Sequence, residues 1–195
     1  MEDYRKRFLD IFERHVTRDG SKRLLEWLDG TDFFTAPAST RFHGAVPSGL
    51  VMHSLNVYDV LKKRNDEKKE YSDETIAIVA LCHDFCKINY YKQAYRNKKN
   101  EVTGVWEQVP YYTVEDNLPF GHGEKSVFII ERFMRLSTQE AMAIRWHMGG
   151  FDDTARAPGN FTLSEAFNRY PLAVMTHLAD LEATYLIEKR EDSGR

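Results

Sequence analysis

Four histidines and two aspartates recur along the chain in the order His53, His83-Asp84, His122, His147 and Asp180. Imidazole and carboxylate are the donors that borderline divalent metals such as zinc, manganese, iron and nickel prefer, and a site holding two such ions needs about six of them. The adjacent pair His83-Asp84 is the most demanding part of the pattern. It closes the run Ile76, Ile78, Val79, Ala80, Leu81, which is apolar on nearly every side and therefore suited to a central buried helix. Burying an imidazole and a carboxylate there is costly unless the two are paired or bind metal. A metal ion is the economical partner.

A bound divalent ion lowers the pKa of water from about 15.7 to about 7 to 9, which makes hydroxide available near neutral pH and adds positive charge for a phosphoryl group. Lys87 lies one helical turn beyond His83, within reach of a phosphate oxygen above such ions, and is assigned transition-state charge stabilisation. The competing reading is a solvated lysine that favours the helix dipole. His43, Arg145, His177 and Tyr91 are candidates for substrate contact, and the first three also for orienting ligands through outer hydrogen bonds. A satisfied core histidine is the plainer account of His177, although it shares a helix face with Asp180. A surface ion pair is the equal alternative for Arg145.

The elements that must position these groups are legible in part. Tyr4, Phe8, Ile11 and Phe12 recur at helical spacing, as do Leu24, Leu25, Trp27 and Leu28 after the turn-like Arg18-Asp19-Gly20. Pro37, Gly44, Pro47 and Gly49 make 36–49 a loop, and an amphipathic helix runs from Leu50 to about Arg64 with His53 in its first turn. Ser72 is an N-cap for the buried helix that ends at His83-Asp84. Ser137 with Glu140 and Thr162 with Glu165 are capping-box patterns, and His147 closes the first of these helices beside Gly149-Gly150. Pro171 suits the first turn of a last helix through Leu186 that carries His177 and Asp180.

Between Asn89 and Gly121 the pattern changes to tyrosines, valines and Trp106 scattered among polar residues, which predicts a β-hairpin or lid around 90–118 that overhangs the site. Its turn is expected at Asn97-Lys98-Lys99-Asn100 or at Thr103-Gly104. Lys92, Arg96, Lys98 and Lys99, interleaved with Tyr90, Tyr91 and Tyr95, suit a nucleotide or short oligonucleotide, but a solvated hairpin is the slightly better account.

At 195 residues with 42% hydrophobic side chains, the chain can bury a core, and one domain over 1–195 is expected. A net charge of −3 provides no global attraction for nucleic acid or an anionic membrane, so phosphate binding must come from local groups. Cys82 and Cys86, the only cysteines, are expected reduced and buried. The mixed charges of Met1 to Arg7 do not resemble a signal peptide, and no run reaches membrane-spanning length, so a cytoplasmic protein without membrane contact is expected. Glu191 to Arg195 is expected to fray. Oligomeric state is left open.

The segment Leu81-Cys82-His83-Asp84-Phe85-Cys86-Lys87, preceded by Gly49-Leu50-Val51-Met52-His53-Ser54-Leu55, resembles the HD-domain superfamily of metal-dependent phosphohydrolases. The resemblance spans roughly Phe42 to Leu186 and rests on the doublet with its lysine, the Gly-Leu-x-x-His-Ser opening and the late aspartate. It implies one ion held by His53, His83, Asp84 and Asp180, and a second site completed by His122 and His147, with Asp84 bridging. The implied cofactors are two divalent transition-metal ions from among Mn, Fe, Ni, Co and Zn. The implied fold is an all-α HD-domain bundle of about seven or eight helices, with its ligand-bearing core over about 42–186, N-terminal helices 1–35 packed on it, and the hairpin inserted.

The implied activity is metal-dependent hydrolysis of a phosphoester, as a phosphohydrolase or phosphodiesterase. Its substrate would be a small phosphorylated molecule: a nucleotide, a cyclic nucleotide or a short nucleic-acid end. Cys86 stands where the commonest form of the motif has glycine, so the local turn is expected to differ. The same superfamily includes mixed-valent di-iron oxygenases with four histidines and two aspartates, and these can also carry a lysine beside the doublet. A non-catalytic regulatory module is the third reading, weakened because all six ligand positions are intact.

Overall fold

The computed structural model describes residues 3–40 and 44–188. Among them, eight α-helices and one two-stranded antiparallel sheet follow in the order α1 (Tyr4–His15), α2 (Ser21–Asp29), α3 (Gly49–Lys68), α4 (Asp73–Cys82), β1 (Tyr91–Lys99), β2 (Trp106–Val114), α5 (His122–Glu131), α6 (Thr138–Arg145), α7 (Thr162–Arg169) and α8 (Pro171–Glu182). Short 3-10 turns occupy Phe85–Lys87 and Gly149–Phe151, and one π-helical turn, Ala183–Ile187, continues α8.

Helix α4 is the axis of the fold, buried at every position from Ile76 to Cys82. The β-branched residues Ile76, Ile78 and Val79 each lose a few tenths of a kcal/mol in helix propensity, whereas burying each side chain contributes about 1.5–3 kcal/mol. Burial wins, and α4 packs against α1, α3 and α6. Its start is marked as the sequence suggests, with the Ser72 hydroxyl accepting from the Thr75 N–H and Asp73 and Glu74 in the first turn. Helix α8, with Pro171 at its first turn, packs on α3 and α6, and α5 packs on α6. Buried apolar side chains from α1 through Ala183 form one continuous core.

A polar cluster ties three segments together at the far end of these helices. Arg18 reaches Glu140 at 2.8 and 2.9 Å and Glu74 at 3.3 Å, while the Thr75 hydroxyl donates to Glu140 at 2.9 Å. Glu140 also completes the capping box with Ser137 that the sequence indicates.

Other local expectations need correction. Thr162 is the first residue of α7 rather than its cap, because Asn160 Oδ1 accepts from the Thr162 N–H in its place. Helix α3 starts at Gly49 and runs a turn beyond Arg64, so His53 is its fifth residue and lies just past the first turn. The last helix leaves α-geometry at Ala183 instead of continuing to Leu186. Helix α5 was not anticipated: glycines flank His122, and Val127, Phe128, Ile129 and Ile130 form a block without helical period.

The hairpin exists, with Tyr91 opposite Val114 and Lys99 opposite Trp106. Its connection is 100–105, where the Asn100 side chain accepts from the N–H groups of Val102 and Thr103 and Gly104 takes φ +72°; of the two expected turns, Thr103-Gly104 is the one formed. It is an arm rather than a lid. Its base meets the body, where the Tyr91 hydroxyl donates to Ala38 O at 3.2 Å, while Tyr95, Trp106, Val102 and Val114 are exposed. Cys82 and Cys86 are free and buried as expected. Among the described residues, no helix is long and apolar enough to cross a membrane. The C-terminal 191–195 lies outside the described residues.

Candidate metal centre

Five separate elements deliver the six ligand candidates to one point. His53 comes from α3, His83 caps the C-terminus of α4 and Asp84 follows it, His122 opens α5, His147 lies just past the end of α6, and Asp180 sits in α8. His53, His83, Asp84 and His147 are buried, whereas His122 and Asp180 are partly exposed.

Asp84 is the hub. Its Oδ2 lies 3.6 Å from His53 Nε2 and 3.6 Å from His83 Nε2. Its Oδ1 lies 3.1 Å from His122 Nε2 and 3.5 Å from His147 Nε2. His53 Nε2 is also 3.3 Å from His83 Nε2 and 3.2 Å from Asp180 Oδ1. Donors bound to one ion at about 2.0–2.2 Å in tetrahedral or more crowded geometry lie about 3.0–3.5 Å apart, so these spacings suit shared ligation. Three groups have ligand atoms within 4.8 Å of one another: His53-His83-Asp84, His83-His147-Asp180 and Asp84-His122-His147. His147 Nε2, fully buried, makes no hydrogen bond. An imidazole nitrogen that makes no hydrogen bond and faces a carboxylate is a donor that could hold a cation.

The outward nitrogens explain why the inward ones are available. His83 Nδ1 donates to Ala80 O at 2.8 Å and His147 Nδ1 to Ile144 O at 2.7 Å, each to the carbonyl three residues earlier. These bonds put the ring proton on Nδ1 and leave the Nε2 lone pair facing Asp84. His53 uses a side chain instead, with its Nδ1 2.8 Å from Glu188 Oε1, which also accepts from Asn56 Nδ2 at 3.0 Å.

Sequence reasoning missed Glu188, which lies 135 positions from His53 with no periodicity linking the two. We expect Glu188→Ala to weaken divalent-metal affinity about 10–100-fold, with Glu188→Gln recovering part of it by still accepting the Nδ1 proton. Isothermal titration with Mn²⁺ checks this, and equal affinities for all three proteins would remove Glu188 from the metal's support.

Charge within the cluster is strongly redistributed. Burial disfavours the His53 imidazolium, but hydrogen bonds to Asp180 and Glu188 outweigh it and raise its pKa to about 10. Burial pushes His83 down to about 4 despite Asp84 beside it. Burial opposes ionisation of Asp84 too, yet Lys87 and the surrounding imidazoles hold it well below the usual carboxylate range. A cation arriving at His53 must therefore displace a proton, which makes uptake more favourable as pH rises.

Lys87 is brought to the site, buried, with Nζ 2.6 Å from Asp84 Oδ2. It is carried by the 3-10 turn that replaces continued helix, and Cys86, in the position that predicted a local difference, anchors that turn through its N–H to Ser126 Oγ at 2.9 Å. Tyr91 lies four residues after Lys87 at the arm's base, its hydroxyl pushed up to about 12 by burial.

Two substrate-contact candidates turn elsewhere. Arg145 bonds Asp152 Oδ2 at 2.9 Å, pairs with Glu124 and lies over Trp146, so its charge is consumed between α5 and the loop after α6. His177 Nδ1 donates to the carbonyl of His147 at 2.7 Å and its ring lies against Gly149, so it steadies the backbone that presents His147. His43 lies outside the described residues.

Gly149 is confined by that contact. It takes φ +52°, and a Cβ there would sit 2.5 Å from the His177 ring. Gly149→Ala is expected to destabilise the protein by about 2 kcal/mol through left-handed strain and the clash, measured by urea unfolding, and to lower metal affinity by moving His147.

No family model, curated protein or solved structure matches this chain.

Proposed function

We propose that the protein is an HD-type phosphohydrolase that holds two divalent transition-metal ions and hydrolyses a phosphoester, its substrate class a nucleotide or short oligonucleotide. The observation that carries this reading is the division of Asp84, whose Oδ2 faces His53 and His83 while Oδ1 faces His122 and His147. One carboxylate flanked by two imidazole pairs could offer an oxygen to each of two ions, and Asp180, 3.2 Å from His53 Nε2 and grouped with His83 and His147, could add a further donor. When bound, the ions would supply an acidified water and positive charge toward a phosphoryl group.

The chain's own residues account for the remainder. Hydrogen bonds behind His83, His147 and His53 fix the ring orientations, so the donors need little reorganisation. Lys87 places an ammonium at the edge of the site, held by Asp84 and able to turn toward a non-bridging phosphate oxygen. Substrate would approach the cluster at His122 and Asp180, its partly exposed members.

The test is metal content together with turnover of bis(p-nitrophenyl) phosphate by protein reconstituted with Mn²⁺, Ni²⁺, Co²⁺, Fe²⁺ or Mg²⁺. Two ions per chain and metal-dependent turnover are the expected result. Two ions without turnover by any metal would shift the reading to a di-iron oxygenase, tested by oxygen uptake of the iron form. A chain that binds no metal would be a regulatory module.

A further inference from the structure

The hairpin has two unlike faces. Residues directly opposite in an antiparallel pair point to the same side, so Tyr91, Tyr95 and Lys99 share a face with their partners Val114, Pro110 and Trp106. Between them, Gln93 pairs with Tyr112 and Asn97 with Gln108 on that face. The other face is spent internally: Arg96 stacks over Tyr111, and Lys98 stands opposite Glu107. On the first face, rings alternate with amides along an arm of roughly 26–30 Å, with Lys99 near the tip. Tyr95 is 61% and Trp106 67% exposed, far more than a fold needs to leave in water.

We infer that this face is a stacking track for single-stranded nucleic acid that leads a strand to the metal centre. This deepens the proposed function and rests on it for the placement of a scissile phosphate. Three observations favour this occupant. The track's inner end is Tyr91, four residues after Lys87, where the arm joins the body that carries the site through its hydroxyl to Ala38 O at 3.2 Å. Residues 91–115 carry Lys92, Arg96, Lys98 and Lys99 against Glu101, Glu107 and Glu115, the last paired with Lys92, a local charge of +1 in a chain of −3, with Lys99 the cation on the track face. Tyrosine and tryptophan rings interleaved with Gln93, Asn97 and Gln108 offer planes for base faces and amides for base edges. Along the strands of that face, aliphatic area of the kind a protein partner buries is limited to Val114 and Pro110, with Val102 and Val105 exposed at the tip. A duplex keeps its bases stacked inside and cannot use the rings.

The experiment is fluorescence anisotropy of a labelled oligothymidylate of about a dozen nucleotides, titrated with the full chain in EDTA so that binding is read without cleavage. Single strand is expected to bind more tightly than duplex and to weaken with salt, with Trp106→Thr and Tyr95→Thr each costing about 5-fold or more in affinity and Trp106→Phe much less. Threonine preserves strand propensity, and Phe separates ring stacking from hairpin folding. Equal binding of duplex and single strand, or an unchanged affinity in the Trp106→Thr, Tyr95→Thr double variant, would overturn the track and leave the face to a protein partner. Strand binding by a chain that fails to turn over bis(p-nitrophenyl) phosphate with any metal would leave the track standing and remove the hydrolase.

Discussion

Asp84→Ala is expected to lower metal-dependent diester hydrolysis by on the order of 10³-fold or more and to abolish stoichiometric metal binding. Both carboxylate oxygens are engaged with different imidazole pairs, so one substitution removes a donor from each half of the cluster. The complication is Lys87, whose buried ammonium sits 2.6 Å from Asp84 and would be left without that partner. Breaking a buried pair from one side costs about 3–5 kcal/mol, whereas replacing both members by uncharged groups is often nearly neutral. A double variant, Asp84→Asn with Lys87→Met, therefore separates folding from chemistry: it should melt near wild type while remaining inactive and metal-poor. Wild-type turnover in Asp84→Ala, with its fold verified by circular dichroism, would remove the bridging role.

How far such a site can be read from sequence depends on what kind of fact is asked. The ligand types and their order were legible because a buried helix ending in His83-Asp84 has no cheaper explanation, and the structure brings all six groups together. Helix α4 and the Ser72 and Ser137 caps were legible for local reasons, since capping and burial act within a few residues. Side-chain direction was not. Arg145 and His177 have suitable chemistry, but which way each turns is set by Asp152, Glu124 and the His147 carbonyl, contacts that local sequence does not encode. Glu188 is the extreme case, a polar residue near the end of the described chain that meaning attaches to only once α8 packs on α3. The hairpin lies between: alternation announced strands, but whether the aromatic residues pack on the body or stay exposed is set by contacts that local sequence does not encode.

The Arg18 cluster links the ends of α4 and α6 opposite the candidate ligands, and it carries the second large expectation. Helices α4 and α6 each deliver ligands at their C-terminal ends, and their N-terminal ends are joined through Thr75, Glu74 and Glu140, with Arg18 from the α1–α2 turn bridging them. Glu140 has a side chain only 1% exposed and accepts from Arg18, Thr75 and the Ser137 N–H. Arg18→Leu leaves that carboxylate buried without its cation and is expected to destabilise the protein by about 3–5 kcal/mol at neutral pH, while adding Glu140→Leu should restore much of the loss. Burial opposes ionisation of Glu140 and Glu74, but Arg18 and neighbouring N–H groups hold both below the usual carboxylate value. Because the folded-state pKa is the lower one, their stabilisation is complete above the unfolded value of about 4.3 and is lost as pH falls through the folded value. Urea unfolding of wild type and Arg18→Leu should thus differ most near pH 7 and converge below about pH 4, where a protonated Glu140 no longer needs its arginine. A gap that stays constant into acid would mean that Arg18 contributes through packing of its aliphatic stem rather than through its charge.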